Sequence, residues 1–132
     1  MTNELYWLTL TLGLTALMAF PYVLNRMAVR GLMGAMSNPS DQDKPLSDWA
    51  QRAQRAHANA VENLVLFAPA VLAIQATGHS NALTATACAL YFWSRLLHYV
   101  VYTAGIPVVR TLCFFGGWAG IIMLVAHLLN VL

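Results

Sequence analysis

The chain has 132 residues, of which 59% are hydrophobic and only 9% are charged, and its mean hydropathy is +0.60. Soluble proteins carry about 25% charged residues, so this composition excludes an ordinary soluble domain and indicates a membrane protein with several spans. The net charge of +2, without any basic run, gives no indication of nucleic acid as a partner.

The first apolar segment carries no charge between about Leu5 and Leu24, and it predicts one helix over residues 5–30. About twenty residues, each rising 1.5 Å, are enough to cross a hydrocarbon core of about 30 Å. Pro21 is expected to kink this helix near its exit from the membrane. Neither a basic region nor a cleavage site accompanies the segment, so we expect a retained span and not a signal peptide.

Residues 37–47 are rich in turn-forming types and predict a loop. A long second helix is predicted over residues 48–76, with Asp48 or Ser47 at its N-cap. By rise alone this helix would measure roughly 43 Å, so its beginning is expected to project beyond the bilayer.

Two further helices are predicted over residues 82–104 and 107–130. Gly116 and Gly120 form a small-xxx-small pair in the last of them, which indicates close helix packing. The sequence therefore predicts an all-α fold: a single domain over residues 1–132, built as a bundle of four transmembrane helices.

All seven basic side chains lie beside the first connection or toward the third, and none lies in either terminus or in the second turn. The positive-inside rule then places the first and third loops in the cytoplasm and both termini on the other side. The lack of a eukaryotic retention signal favours a bacterial inner membrane. The seven residues are Arg26, Arg30, Lys44, Arg52, Arg55, Arg95 and Arg110.

One face of the second helix carries a polar row that continues into the apolar segment. Its members follow at intervals of three, four and three residues: Arg52, Arg55, Asn59 and Glu62. Since an unpaired charge inside a membrane costs about 2.5–3.5 kcal/mol, Glu62 is expected to pair with Arg95 or with an ammonium group of a ligand. For Arg52 taken alone, the favoured interpretation is a snorkelling arginine that makes a helix-packing hydrogen bond.

The third helix presents a second polar row, Arg95, His98 and Tyr102, which Tyr91 extends. A lone histidine in a membrane helix is usually a packing residue. Three polar residues in line, at the depth where the second helix presents its own, instead predict a polar pocket shared by the two helices.

Arg110 and Thr111, at the start of the fourth helix, are a candidate site for an anion or a thiolate, because helix-start N–H groups also favour negative charge. The alternative is an arginine that anchors the span at lipid headgroups. No spacing of His, Asp and Glu predicts a metal site, and no Ser or Cys has a recognisable base.

Several of these motifs recur, in the same order, in one known family. They are Asn38-Pro39, Arg55-Ala-His-x-Asn59-x-x-Glu62, Arg95-x-x-His98-x-x-x-Tyr102 and Pro107-x-x-Arg110. Over nearly the whole chain this arrangement resembles the MAPEG superfamily, the membrane-associated proteins in eicosanoid and glutathione metabolism. The resemblance implies a homotrimer of four-helix subunits, with glutathione bound between neighbouring subunits near the cytoplasmic side.

The resemblance also implies a role for each matching residue. Arg110 matches the arginine beside the glutathione sulfur, and Thr111 stands where some members carry a serine. Asp41 stands where the prostaglandin synthase of the family carries an aspartate proposed to act in proton transfer. The residues implied to hold glutathione are Arg30, Arg55, Asn59, Glu62, Arg95, His98 and Tyr102.

The implied function is a membrane-embedded glutathione transferase or peroxidase that conjugates or reduces hydrophobic electrophiles, with glutathione as cosubstrate. The alternative left open is a non-enzymatic lipid-binding or scaffold protein of the same family. The expected partners are glutathione, an electrophile, membrane lipid and two further subunits, with neither a metal nor nucleic acid.

Overall fold

The computed structural model of the chain describes all 132 residues and is entirely helical, which confirms the all-α class. The first apolar segment consists of two consecutive helices, so that five helices form a bundle of four long segments. They are α1 (Asn3–Leu17), α2 (Ala19–Met36), α3 (Asp48–Thr77), α4 (Ala82–Ala104) and α5 (Pro107–Leu128).

The helix expected over residues 5–30 lies within one long helical segment, Asn3–Met36, which is interrupted at Met18 although this residue keeps helical φ and ψ angles of −59° and −21°. Pro21 lacks the N–H that would bond to the carbonyl four residues before it, and its ring crowds that carbonyl. The interruption between α1 and α2 therefore falls one turn before Pro21. A second interruption follows at Gly31, whose φ of 73° and ψ of 167° are not helical, before α2 resumes as far as Met36.

The beginning of α3 is tied to α2 and to the loop before it. Ser47 occupies the N-cap without a side-chain capping bond. Its hydroxyl instead accepts a hydrogen bond from the Asn25 amide at 2.9 Å, and the Gln51 amide donates to the Leu46 carbonyl at 2.8 Å. α3 ends in a glycine cap, since Gly78 has a φ of 70°.

Three segments are long and apolar enough to cross a membrane: Asn3–Met36, Asp48–Thr77 and Pro107–Leu128. The sequence predicted four spans, and α4 is not among these three. This helix of 23 residues carries Arg95 and His98, which lower its mean hydropathy. Since α4 contacts α1, α3 and α5, its polar residues pack against protein.

The apolar core lies where α3 ends and α4 begins, with contributions from α1 and α5. Phe67 and Tyr91 stack at its centre, with ring centroids 3.7 Å apart. Tyr91 extends the face of α4 that carries Arg95 and His98, as expected, and the guanidinium carbon of Arg95 lies 5.8 Å from the centroid of its ring. The tyrosine is fully buried in the apolar core, and its hydroxyl has no hydrogen-bond partner.

Glu4 is a buried carboxylate that no pattern in the sequence indicated. Its side chain is 2% exposed and accepts a hydrogen bond from the Thr84 hydroxyl. It lies in the first turn of α1 and contacts the first turn of α4, where Asn81 forms a capping box with Thr84. Both helix N-termini carry partial positive charge, which stabilises a carboxylate placed between them.

Glycines allow α4 and α5 to approach each other closely, as the small-xxx-small pair predicted. A Cβ on Gly120 would lie 2.8 Å from the carbonyl oxygen of Ala87, and a Cβ on Gly116 would lie 2.6 Å from the Ser94 hydroxyl. Real Cβ atoms do not come so close to their neighbours, so a side chain at either position requires a shift. The close packing inferred from the sequence is confirmed.

We expect Gly120→Ala to lower the free energy of unfolding by about 1–3 kcal/mol, the usual cost of overpacking. The atom in its way is backbone, so relief requires α4 to move away from α5. Gly116→Ala is expected to cost less, because the Ser94 hydroxyl can rotate aside. Titration of both variants with a denaturing detergent measures the difference. Equal losses would contradict a backbone contact at Gly120.

Candidate active site

A cavity of about 410 Å³ lies among α3, α4 and α5, near the turn that joins the last two helices. Five of its lining residues are polar and come from three separate sequence motifs. The structure brings these five together, although they are up to 52 positions apart in the chain (59 to 111). The lining residues are Asn59, His98, Tyr102, Arg110, Thr111, Phe114 and Phe115.

Arg110 brings the only full positive charge to the cavity lining. Its guanidinium carbon lies 4.5 Å from the centroid of the Tyr102 ring, a favourable cation–π arrangement. It forms no ion pair, because the one ion pair of the chain joins Arg30 to Asp43 at 3.2 Å. The first turn of α5 is an unfavourable place for a cation, so an anionic ligand beside Arg110 would be stabilised.

Two phenylalanines of α5 also line the cavity. Phe114 and Phe115 were not predicted as site residues, although each lies one helical turn after a residue that was, Arg110 and Thr111 respectively. The Thr111 hydroxyl donates to the Pro107 carbonyl at 3.1 Å. The cavity lining therefore combines polar groups with aromatic rings suited to an apolar group.

Arg95 lies behind the polar residues of the lining and does not itself line the cavity. It is 2% exposed, and its Nη1 donates to Asn59 Oδ1 at 3.0 Å while its Nη2 donates to the Phe114 carbonyl at 3.1 Å. The absent side chain of Gly117 makes room for it, since a Cβ there would stand 2.7 Å from Arg95 Nε. Arg95 therefore fixes the orientation of Asn59 and ties α3 and α4 to α5.

His98 is 3% exposed and reaches the cavity from α4. Its ring lies 5.5 Å from the Tyr102 ring and 6.5 Å from the Phe114 ring, measured between centroids. Neither ring nitrogen of His98 forms a hydrogen bond with the protein. The pocket shared by α3 and α4 is therefore formed by Asn59, His98 and Tyr102, and α5 closes it.

The polar row of α3 divides between two directions. Arg52 and Asn59 are half-buried and face α4, whereas Arg55 and Glu62 are exposed on the outer surface of the helix. Of the two partners expected for Glu62, Arg95 is excluded within one chain, because Arg95 bonds to Asn59 and Glu62 has no ion pair. Arg52 makes the expected helix-packing hydrogen bond.

Arg30 and Asp41 are not brought to this cavity within one chain. Arg30 Nε donates to the Lys44 carbonyl at 2.8 Å, and its Nη1 forms the ion pair with Asp43. Arg30 lines a second cavity, of about 380 Å³, in the first loop. Asp41 is exposed in the same loop and lines neither cavity.

The motif histidine, His57, connects α3 to α2. A hydrogen bond of 2.8 Å joins its Nδ1 to the Tyr22 hydroxyl. Nearby, the Tyr99 hydroxyl donates to the Met18 carbonyl at 3.1 Å, beside the break between α1 and α2. The first contact joins α3 to α2 and the second joins α4 to the α1–α2 junction, and His57 does not line the cavity.

A helical bundle with three long apolar segments and a polar cavity among its helices defines an integral membrane protein. The family model described as MAPEG family matches residues 5–130. The chain therefore belongs to the MAPEG family, whose members act in eicosanoid and glutathione metabolism. No curated protein and no solved structure matches the chain.

Proposed function

We propose that this protein is a glutathione-dependent transferase or peroxidase that acts on hydrophobic electrophiles dissolved in the membrane. The observation that carries the proposal is the cavity, whose lining combines a cation and polar groups with two phenylalanines. Its seven lining residues include one cation and no carboxylate, a lining suited to an anionic thiol beside an apolar reactant. Membership of the family supports glutathione as the thiol.

Arg110 is the residue best placed to stabilise a sulfur anion. A cation beside a thiol lowers its pKa and so raises the fraction of thiolate. Tyr102 holds the guanidinium from one side, and Asn59, fixed by Arg95, offers amide groups to the peptide part of glutathione. These residues bind and orient, and the nucleophile comes from the cosubstrate.

In conjugation with an aryl chloride, a carbon–sulfur bond forms and the carbon–chlorine bond breaks. Chloride leaves with the electron pair, and the thiol proton passes to water. Phe114 and Phe115 would hold the ring of the electrophile. Phe115 is exposed at the bundle surface, so a reactant dissolved in the membrane has access from that side.

A homotrimer is part of the proposal. Arg55 and Glu62 are exposed on a helix long and apolar enough to cross the membrane. Charges facing lipid are costly, and a neighbouring subunit would cover them and offer partners. The same contact would bring Arg30 and Asp41 of one subunit toward the cavity of the next.

The proposed location is the bacterial inner membrane, with the first and third loops in the cytoplasm. All seven basic residues lie toward that side, which supports the orientation. The cavity, near the α4–α5 turn, would then open close to the cytoplasmic pool of glutathione.

The test is glutathione binding and turnover by purified full-length protein in detergent. We expect calorimetry to detect binding of glutathione and of its S-methyl derivative, and conjugation of an activated aryl chloride only with the free thiol. Binding without turnover of aryl chlorides or hydroperoxides would favour the non-enzymatic alternative. If the assembled trimer binds neither glutathione nor its S-methyl derivative, the proposal that glutathione is the ligand is overturned.

A further inference from the structure

Arg52 reaches from α3 to the turn that joins α4 and α5. Its Nε donates to the carbonyl of Thr103 at 2.9 Å, and its guanidinium lies 3.4 Å from where a Cβ on Gly105 would stand. The side chain is half-buried and does not line the cavity. Arg52 therefore covers the turn from outside the site.

The contact completes the end of α4. The last four carbonyls of a helix have no partner within it. The Gly105 and Ile106 N–H groups bond to the carbonyls of Tyr102 and Val101, both at 3.0 Å, and Gly105 has the required φ of 82°. The carbonyl of Thr103 receives its bond from Arg52, and a cation is favourable at this end of a helix.

Two cavity residues depend on the geometry of this turn. Tyr102 lies three residues before Gly105, and Arg110 lies five residues after it. Their cation–π contact, 4.5 Å from guanidinium carbon to ring centroid, joins the end of α4 to the start of α5. Any rotation of the turn changes the position of Arg110 over the Tyr102 ring.

A second contact confines the effect of Arg52 to the turn. Two helical turns further along α3, Asn59 accepts a hydrogen bond from Arg95 of α4. The two contacts follow one antiparallel register, in which Arg52 meets Thr103 and Asn59 meets Arg95. Loss of the first therefore leaves α3 and α4 joined at the second.

We propose that Arg52 is a positioning residue, which holds the α4–α5 turn so that Arg110 stays over Tyr102 beside the cavity. The effect on turnover rests on the proposed function, whereas the effect on the turn does not. Arg52 would act through Arg110 and would not touch glutathione.

Hydrogen exchange of the full-length protein in detergent tests the structural part. In Arg52→Gln, exchange of the Gly105 and Ile106 amides is expected to rise about tenfold, because the charged hydrogen bond that closes the turn is lost. Lys44→Gln is the control, since Lys44 is exposed in the first loop, lies outside the cavity and forms no ion pair. Unchanged exchange at these amides in Arg52→Gln would overturn the proposal.

Turnover tests the functional part. Arg52→Gln is expected to lower kcat several-fold with little change in the glutathione Kd, and Arg52→Lys, which keeps the charge and one donor, is expected to recover part of the loss. Equal losses of glutathione affinity in both variants, with normal exchange in the turn, would make Arg52 a ligand contact and overturn its positioning role. If the wild-type protein shows no turnover, the proposed function fails while the exchange result still decides the role of Arg52 in the turn.

Discussion

Arg110→Ala is expected to lower kcat for glutathione conjugation by about 10²–10³-fold, the usual cost of losing a group that stabilises developing negative charge. The cavity lining has no second cation to replace it. Arg110→Lys should fall between wild type and alanine, because it keeps the charge and loses the flat group that stacks on Tyr102.

The pH dependence of the same variant tests the reason for the loss. A cation lowers the pKa of a neighbouring thiol, so its removal raises that pKa and reduces the thiolate fraction at neutral pH. The rate of Arg110→Ala should therefore recover partly as the pH rises, with its rising limb shifted to higher pH. Lys44→Ala is the control, since it removes a positive charge from the exposed loop and touches neither the cavity nor α5. A rate for Arg110→Ala equal to that of Lys44→Ala would contradict the assigned role.

The second large effect is expected at Arg95. Truncation to alanine leaves a void beside Gly117, takes the donor from Asn59 Oδ1 and releases the contact with the Phe114 carbonyl. We expect a loss of about 3–5 kcal/mol in the free energy of unfolding, as for other large side chains removed from a buried site.

Arg95→Met separates packing from hydrogen bonding at this position. It fills most of the volume and removes a buried charge whose Nε has no partner. Replacement of a buried charge by an apolar side chain of similar size is often neutral for stability, so Arg95→Met should unfold near wild type. It should nonetheless bind glutathione more weakly, because Asn59 is no longer held. Denaturing-detergent titration and calorimetry measure the two effects. A methionine variant as unstable as the alanine variant would show that the hydrogen bonds, and not packing, stabilise this site.

The helix ends were largely predictable because local signals set them. Pro107 begins α5, and Gly78 and Gly105 end α3 and α4 with positive φ angles. The break at Met18 was displaced from the expected place because the effect of Pro21 acts on the preceding turn. Apolar runs show which segments can cross a membrane, but they do not show where the backbone bends.

The division of the polar row on α3 was not predictable from spacing. At about 100° per residue, the four positions fall within an arc of about 80°, so the sequence correctly indicated one face. The edge of the contact with α4 passes through that arc. Asn59 therefore lies inside and Glu62 outside, although they are three residues apart. Lipid and neighbouring helices are both apolar, so hydropathy alone does not locate such an edge.

The partner of Arg95 was not predictable for the same reason. A carboxylate on the next helix was the electrostatically obvious choice, yet the guanidinium bonds to an amide and to main-chain carbonyls. These carbonyls are reachable because α5 has a glycine where Arg95 approaches it. A backbone acceptor leaves no signature in the sequence beyond the glycine that exposes it.

The guanidinium of Arg95 fills the space that a side chain at position 117 would need, and this restricts which residues can occur together at the two positions. A side chain at position 117 would occupy the space of the Arg95 guanidinium, since its Cβ would stand 2.7 Å from Nε and 2.8 Å from Nη2. The two positions are therefore expected to covary. In relatives that keep this helix spacing, a residue larger than glycine at position 117 requires a side chain shorter than arginine at position 95. The asparagine that Arg95 orients then becomes free to change as well.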